Sequence, residues 1–262
     1  MRDVPGARVL LVVPTLGRRP AFLRQTLASI ANQDHPARIV IVAPPSESLA
    51  ALAEEFGAEL LDDPGSLPGA INLGMEHAIS QVDFVNWLND DDLLEPGSLT
   101  RTIELLDAQE DAVVAFGACR YIDPQGRELW ISRAGRWAPR ILSWGPDLIP
   151  QPGMLVRADA WRTVGGLDDS YRLAFDLDLL LRLRRIGRFV HTPAILSSFR
   201  WHATSLTVDE RGTNLAESER AKRAALGPVG RALCVLWNPP VRLAIRLAAG
   251  RVQRRALRLG AH

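Results

Sequence analysis

The sequence predicts an α/β fold in which an open, mostly parallel sheet carries helices on both faces. Short apolar runs alternate with helical patterns four times before residue 110, and this alternation is typical of parallel sheets. The short connections favour right-handed crossovers. The alternation then stops, and two strand patterns flank Asp123–Gly126 as in a hairpin. We therefore expect a smaller, mixed and partly antiparallel second half, followed by C-terminal helices.

Each element is predicted from apolar spacing or from a turn signal. The strands are apolar runs bounded by turn residues: Val9–Val13, Ile39–Val42, Ala58–Leu61, Phe84–Leu88, Val113–Ile122, Arg127–Ile131, Met154–Val156, Phe189–Val190 and Ile195–Phe199. The helices repeat apolar residues three and four apart: Phe22–Ile30, Ser48–Phe56, Pro68–Ile79, Pro96–Glu110, Ala158–Val164, Asp176–Ile186 and a stretch ending at Leu226. Residues 133–150 have no period, which indicates a mobile loop over a site.

Composition excludes several classes of protein. The net charge of +1 argues against a general nucleic-acid binder. The two cysteines, Cys119 and Cys234, lie far apart and fit a reducing compartment rather than a disulfide framework. The first apolar run is too short for a signal peptide, and no run approaches the roughly 18 apolar residues of a membrane span. We therefore expect a cytoplasmic protein.

Residues 228–262 differ from the domain expected over residues 1–227. This tail contains no acidic residue, and apolar residues alternate with arginines at 231, 242, 246, 251, 254, 255 and 258. Pro239–Pro240 divides it into two helical pieces. A basic amphipathic helix can lie on an anionic membrane surface, which would make the protein peripheral. The alternative is a pair of helices that pack on the domain with their arginines in solvent, and the pattern fits both.

The most informative stretch is FVNWLNDDDLL, residues 84–94. A buried strand leads directly into Asn89, Asp90, Asp91 and Asp92. Adjacent carboxylates repel one another, and the carboxyl end of such a strand is where α/β folds bind ligands. A divalent cation would relieve the repulsion, and oxygen ligands favour Mg²⁺ or Mn²⁺. The alternative is a solvated acidic turn that caps the helix near Pro96.

Six motifs together resemble family 2 glycosyltransferases with the GT-A fold. In the family's order, over about residues 7–206, they are VVPTLGR, LPGAINLG, WLNDDDLLEPGSL, QPGMLVRADAWRTVGGLDDSY, FDLDLLLRL and FRWHATS. The resemblance implies a Rossmann-like sheet, with a nucleotide-sugar-binding half over 7–122 and an acceptor half over 123–206. It also implies inverting transfer from a nucleotide-diphosphate sugar to a hydroxyl of a saccharide or lipid-linked acceptor. The family's usual work is surface polysaccharide or glycolipid assembly at the cytoplasmic membrane face.

On the donor side, the resemblance places Asn89-Asp90-Asp91 at the family's DxD motif. Asp91 would then bind the Mn²⁺ or Mg²⁺ that holds the diphosphate, while Asn89 and Asp90 face the nucleoside. His202 would be a further metal ligand, and Arg200 would neutralise the departing diphosphate. The remaining donor-binding candidates are Pro14, Thr15, Leu16 and Asn72. The alternative to a donor-binding role is that Pro14–Thr15 simply ends the strand and that Asn72 is an amide on the surface of a helix. The family's usual Asp after strand two is replaced by Ala43-Pro44-Pro45, so the base stays open.

On the acceptor side, Asp176 matches the family's catalytic base. Phe175 replaces the usual preceding Glu, and an apolar neighbour should raise the pKa of Asp176, which suits a base. The alternative role of Asp176 is a helix N-cap. Asp178 is expected to pair with Arg182 four residues on. Gln151 is expected to contact sugar hydroxyls.

Two other functions remain compatible with the residues alone. A nucleotidyltransferase would need a glycine-rich basic first loop, of which Leu16–Arg19 is a faint version. A nucleotide-sugar-binding protein without catalysis is favoured by the missing Asp after strand two and by Phe175.

Overall fold

The computed structural model describes residues 6–133, 135–201, 211–229 and 231. The strands are β1 Val9–Pro14, β2 Ala37–Ala43, β3 Glu59–Asp62, β4 Phe84–Trp87, β5 Leu93–Leu94, β6 Ala112–Ile122, β7 Glu128–Ser132, β8 Leu155–Arg157 and β9 Arg188–Arg200. The helices are α1 Pro20–Ala31, α2 Glu47–Glu55, α3 Leu67–Ala78, α4 Ser98–Asp107, α5 Ala138–Ile141, α6 Ala158–Val164, α7 Phe175–Leu183 and α8 Arg211–Ala225, with a 3₁₀ turn at Ile79–Gln81.

The nine strands form one mixed sheet in the order β3-β2-β1-β4-β8-β6-β9-β5, and β7 pairs with β6. Strands β1 to β4 are parallel to one another. Strand β8 runs antiparallel to both β4 and β6, whereas β9 is parallel to β6. The prediction of a parallel first half and a mixed second half is confirmed, as is the β6–β7 hairpin.

Helices cover both faces of the sheet because successive strand residues point to opposite sides. On one face Val9, Leu11 and Val13 pack in a cluster with residues of α1, α2 and α4. On the other, Leu10 and Val12 join a cluster with residues of α3, α6 and α7. Full burial of each such side chain is worth about 1.5–3 kcal/mol, so both layers stabilise the sheet that supports the cavity described below.

Two predicted regions have different boundaries in the structure for a clear physical reason. Helix α4 begins at Ser98 rather than Pro96, because Gly97 adopts a left-handed conformation with φ 73°. The two strands predicted over residues 189–199 are one strand, β9. This strand contains Pro193, which lacks a backbone N–H. Strand β5 pairs with β9 only at Ser197 and Ser198, so among the described strands Pro193 has no partner on that side.

The part of the chain described contains no helix long and apolar enough to cross a bilayer. The predicted basic tail, residues 228–262, lies outside the described residues except for Pro228, Val229 and Arg231. Its membrane contact and the domain boundary at residue 227 stay predictions.

Candidate active site

A cavity of about 1090 Å³ opens at the carboxyl ends of β1, β2 and β4. Its far wall is formed by the first turn of α7 and by α8. The predicted site residues that line it are Pro14, Thr15, Leu16, Asn89, Asp90, Asp91, Gln151 and Asp176. Pockets that hold small molecules typically measure about 300–1000 Å³, so this one is large enough for a substantial ligand.

Thr15 links the end of β1 to the segment Asn89–Asp92 that follows β4, here called the acidic loop. Its backbone amide donates to the carbonyl of Val42 at 3.0 Å, which continues the β1–β2 ladder. Its hydroxyl donates to the Asp90 carboxylate at 2.5 Å and accepts from the amide of Gly17 at 3.0 Å. The polar groups on this side of the cavity are therefore fixed before any ligand arrives.

The acidic triplet divides into two groups. Asp90 and Asp91 line the cavity, each 9% exposed, whereas Asp92 is fully buried behind them. Asp92 accepts from the backbone amide of Arg200 and from the side-chain amide of Asn89, both at 3.1 Å. Burial, followed by the charge of Asp91, raises the pKa of Asp92 well above its usual range. Asp92 therefore anchors the loop from within, and Asn89 is oriented by it.

Arg19 compensates the charge of the two cavity carboxylates. Its Nη1 lies 2.7 Å from Asp91 Oδ2 and its Nη2 lies 3.5 Å from Asp90 Oδ1. Arg18 also lines the cavity. Two arginines that follow β1 thus put positive charge next to the acidic loop.

Arg200 lies beneath the acidic loop rather than in the cavity wall. It is 2% exposed, and its guanidinium donates to the carbonyls of Asp91 and Pro124 and to the side chain of Gln25 at 2.8–3.2 Å. The guanidinium carbon also lies 4.3 Å from the ring centroid of Phe22. These contacts make Arg200 a support of the loop, and direct contact with a diphosphate is not what this geometry favours.

Asn72 also lies away from the cavity wall. Its side chain donates to the carbonyl of Leu167 at 2.9 Å and to Asp169 at 3.3 Å, and it accepts from the amide of Leu167 at 2.9 Å. It therefore ties α3 to the turn after α6. His202 lies outside the described residues, so its predicted metal contact stays a prediction.

Gln151 stands where β4 meets the acceptor half of the sheet. Its amide nitrogen donates to Asn86 Oδ1 at 3.1 Å and to the carbonyl of Trp87 at 2.7 Å. The loop before β8 is thereby joined to the strand that leads into the acidic loop.

Asp176 lies inside the first turn of α7, after Phe175, and the N-cap is Ala174. The N-cap role is therefore not the one that the structure shows. Burial raises the pKa of Asp176 to about 6, although the amide of Leu177 donates to its carboxylate at 2.7 Å. The direction agrees with the prediction from Phe175, which packs 6.1 Å from Trp87 between ring centroids.

The expected pair on the next turn is confirmed, since Arg182 contacts Asp178 at 2.7–2.8 Å. Asp178 is therefore paired with Arg182, whereas Asp176 lines the cavity, so the two aspartates of α7 have different surroundings.

Three functional candidates were missed by sequence analysis. Asp147, in the loop before β8, and Lys222, on α8, both line the cavity. Glu217, also on α8, accepts hydrogen bonds from the backbone amides of Arg172, Leu173 and Ala174 at 2.8–3.1 Å. The one available signal was that Lys222 is the only lysine in the sequence.

The residues present fit a divalent cation. No three His, Cys, Asp or Glu side chains among the described residues form a ready-made metal cage. Mg²⁺ and Mn²⁺ do not need one, because one or two carboxylates together with substrate phosphates and water complete their coordination. Asp91, with its carboxylate at the cavity surface, is of that type.

Comparison with known proteins identifies the class. The family described as glycosyl transferase family 2 matches residues 10–156, more than half of the chain. The chain is 28% identical to the O-antigen biosynthesis protein RfbC of Myxococcus xanthus over 191 residues. This match covers 67% of this chain and 14% of RfbC. The chain is also 25% identical over 232 residues to the uncharacterized protein y4gI of Sinorhizobium fredii, covering 84% of this chain and 25% of that protein. The chain therefore spans a quarter or less of these curated relatives.

Solved structures show the same fold. TarS 1–349 of S. aureus superposes with a TM-score of 0.63 at 14% identity, over 87% of this chain and 69% of TarS 1–349. The mannosyltransferase PcManGT of Pyrobaculum calidifontis, solved with GDP-Man and Mn²⁺, gives a TM-score of 0.56 at 14% identity, over 94% and 80% of the two chains.

The fold is that of GT-A glycosyltransferases. More particularly, the chain belongs to glycosyl transferase family 2. The nucleotidyltransferase, which the residues alone left open, is thereby set aside.

Proposed function

We propose that this glycosyltransferase moves a sugar from a nucleoside-diphosphate sugar to an acceptor hydroxyl, with inversion, in cell-surface polysaccharide or glycolipid synthesis. One observation carries the proposal: a single cavity holds Asp90 and Asp91 at its sheet edge and Asp176, with a raised pKa, on its far wall. Inverting transfer needs these two kinds of carboxylate on opposite sides of the reacting carbon.

The donor would lie along the sheet edge. Pro14, Thr15 and Leu16 would contact the nucleoside together with Asn89 and Asp90. Asp91 would hold the divalent cation, which when bound neutralises charge on the departing diphosphate. Arg19, which contacts both cavity carboxylates, would contribute positive charge toward the phosphate oxygens.

The chemical step assigned to the protein is removal of a proton. A bond forms between the acceptor oxygen and the anomeric carbon, while the bond from that carbon to the diphosphate oxygen breaks and its electron pair leaves with the diphosphate. The acceptor proton passes to Asp176. A carboxylate with a pKa of about 6 is largely ionised at pH 7, yet it is more basic than an ordinary Asp.

The relatives support the broader setting. RfbC is described as an O-antigen biosynthesis protein, one TarS structure contains UDP, and PcManGT was solved with GDP-Man and Mn²⁺. We infer a similar use of a nucleotide sugar and a divalent cation here, with a saccharide or lipid-linked acceptor. Action at the cytoplasmic face of a membrane, through the basic tail, belongs to the same proposal.

A thermal-shift panel tests the donor site. UDP, GDP and dTDP are added with and without Mn²⁺, and at a concentration of 100 Kd the preferred nucleotide should stabilise the fold by about 2.7 kcal/mol. Asp91→Asn should lose the Mn²⁺-dependent part, whereas Asp159→Asn, on the exposed surface of α6, should keep it. A wild-type enzyme that responds to none of the three nucleotides, or an Asp91→Asn variant that keeps the Mn²⁺ response, contradicts the proposal.

A further inference from the structure

A second carboxylate lies in the cavity on the same side as Asp176. Asp147 follows the partly exposed Trp144 in the loop between α5 and β8, and both residues line the cavity. The amide of Ile149 donates to Asp147 at 2.9 Å and fixes the turn that presents it. Asp147 and Asp176 are close enough for the charge of Asp176 to act on Asp147. The wall therefore presents a pair of carboxylates, of which the proposed transfer uses only one.

Helix α8 holds both segments that bear these carboxylates. Lys222 donates to the carbonyl of Gly145 at 2.5 Å, two residues before Asp147. Five residues earlier, Glu217 binds the amides of residues 172–174, directly before the turn of Asp176. Because one helix contacts both segments, the separation of the two carboxylates depends on how α8 is docked.

We propose that Asp147 is a second acceptor-binding carboxylate, that Lys222 is a positioning residue which holds it beside Asp176, and that the site takes an acceptor with two neighbouring oxygen atoms, namely a sugar ring. The assignment of an acceptor rests on the proposed function. The pairing of Asp147, Asp176 and Lys222 stands independently of it.

The surroundings raise the pKa of both carboxylates. Partial loss of water around Asp147, whose side chain is still exposed at the cavity surface, followed by the charge of Asp176, raises the pKa of Asp147 to about 7. Burial raises the pKa of Asp176 to about 6. Lys222 opposes the shift of Asp147, and its own pKa is lowered by burial. The other titratable groups that face this cluster are Glu219 on α8, which acts on Lys222, and Tyr121 on β6, which feels the charge of Asp147. The pair therefore binds its last proton near neutral pH, where ordinary carboxylates are fully ionised.

Two carboxyl groups side by side suit a polyhydroxyl acceptor. Asp176 accepts from the attacking hydroxyl, while Asp147 contacts a second oxygen of the same acceptor. Trp144, which is 53% exposed, offers a flat apolar face against which the C–H face of a sugar ring can pack. An acceptor with one hydroxyl on an alkyl chain would give Asp147 no hydrogen-bond partner, so it should bind more weakly than a sugar ring. An anionic acceptor should also bind weakly, because two carboxylates would repel it.

One part of the test is transfer itself, measured with the nucleotide sugar selected by the thermal-shift panel and a series of methyl hexosides as acceptors. Asp147→Ala should raise the acceptor KM roughly tenfold or more, as expected for loss of a strong hydrogen bond. Asp159→Asn, on the exposed surface of α6, should leave both the acceptor KM and donor hydrolysis unchanged. A variant whose KM for the best hexoside equals that of the wild type overturns the role of Asp147 in acceptor binding.

The other part needs no substrate and therefore separates this inference from the proposed function. Reductive methylation with ¹³C-formaldehyde labels the amino terminus and Lys222, the only lysine of the full chain. The dimethyl-lysine resonance should shift with a midpoint near pH 7 as Asp147 ionises. Asp147→Asn should abolish this inflection, Asp176→Asn should move it to lower pH, and Asp178→Asn should leave it in place. An inflection that survives in Asp147→Asn, or its absence in the wild type, overturns the pairing.

Discussion

Replacing Asp176 by Asn tests the proposed base most directly. Asn keeps the size of the side chain and an oxygen that can accept from the Leu177 amide, but it cannot take a proton. General-base assistance is typically worth about 10²- to 10⁴-fold, so kcat should fall by that factor, equivalent to roughly 3–5 kcal/mol of activation free energy. Donor affinity should change little, because the acidic loop lies at the other side of the cavity.

The pKa of Asp176 supplies a second magnitude. With a value of about 6 the wild-type kcat should fall on the acid side with that midpoint, and at pH 5 it should lie about tenfold below its plateau. The Asn variant should lack this acid limb. Release of nucleoside diphosphate from pH 4.5 to pH 8 measures both, first with water and then with a sugar as the acceptor.

Stability provides the control for misfolding. Burial raises the folded-state pKa of Asp176 above its ordinary value of 3.8, so the folded state binds more protons than the unfolded state between pH 3.8 and about 6. Stability therefore declines as pH rises through that window, and the loss is complete above it. Asp176→Asn removes this penalty, and its Tm at pH 7 should equal or exceed that of the wild type. Activity within a few-fold of wild type in a folded Asp176→Asn variant would refute the assignment of the base.

Three further outcomes are expected. Glu217→Ala should lower kcat roughly tenfold or more without changing nucleotide affinity, because the amides that position the first turn of α7 lose their acceptor; parallel loss of nucleotide binding would contradict this. Gly74→Ala should destabilise the fold by about 1–3 kcal/mol in urea unfolding, since its Cβ would lie 2.6 Å from a Val12 methyl group, whereas Gly135→Ala, which meets no atom within 4 Å, should not. Removal of residues 228–262 should release the protein from anionic liposomes at low salt, as should added salt; full-length protein that ignores such liposomes would assign the tail a structural role.

Local patterns were sufficient to predict the parallel half of the fold. All six residues of β1 are buried, as a strand in the middle of a parallel sheet should be, and the strand ends where Pro14 stops the apolar run. The same reasoning failed for β5. This strand has only two residues, Leu93 and Leu94, and is defined by pairing with a segment about 100 positions later. The spacing of apolar residues within a short stretch of sequence does not indicate pairing with so distant a segment.

The sequence was sufficient to predict those site residues that reach the cavity simply because they lie at the end of a strand or helix. Asp90, Asp91 and Asp176 reach one cavity because each lies at a strand or helix end that faces the same edge of the sheet. The direction of a side chain at such an edge is decided by its neighbours. Arg200 ends a strand near the cavity, yet it is directed under the acidic loop by Gln25 and by the carbonyls it contacts.

The acceptor end of the cavity depends on a helix that polar contacts hold in place. Only Ala221 of α8 is fully buried among its described side chains, so apolar burial contributes little to docking. Instead Glu217 binds backbone amides, Arg220 packs 3.8 Å from the Tyr171 ring centroid, and Arg185 donates to the carbonyl of Ala225. The donor end of the cavity, in contrast, is formed at the ends of the buried strands β1, β2 and β4. Perturbing α8 should therefore alter acceptor chemistry first, while nucleotide binding at the sheet edge persists.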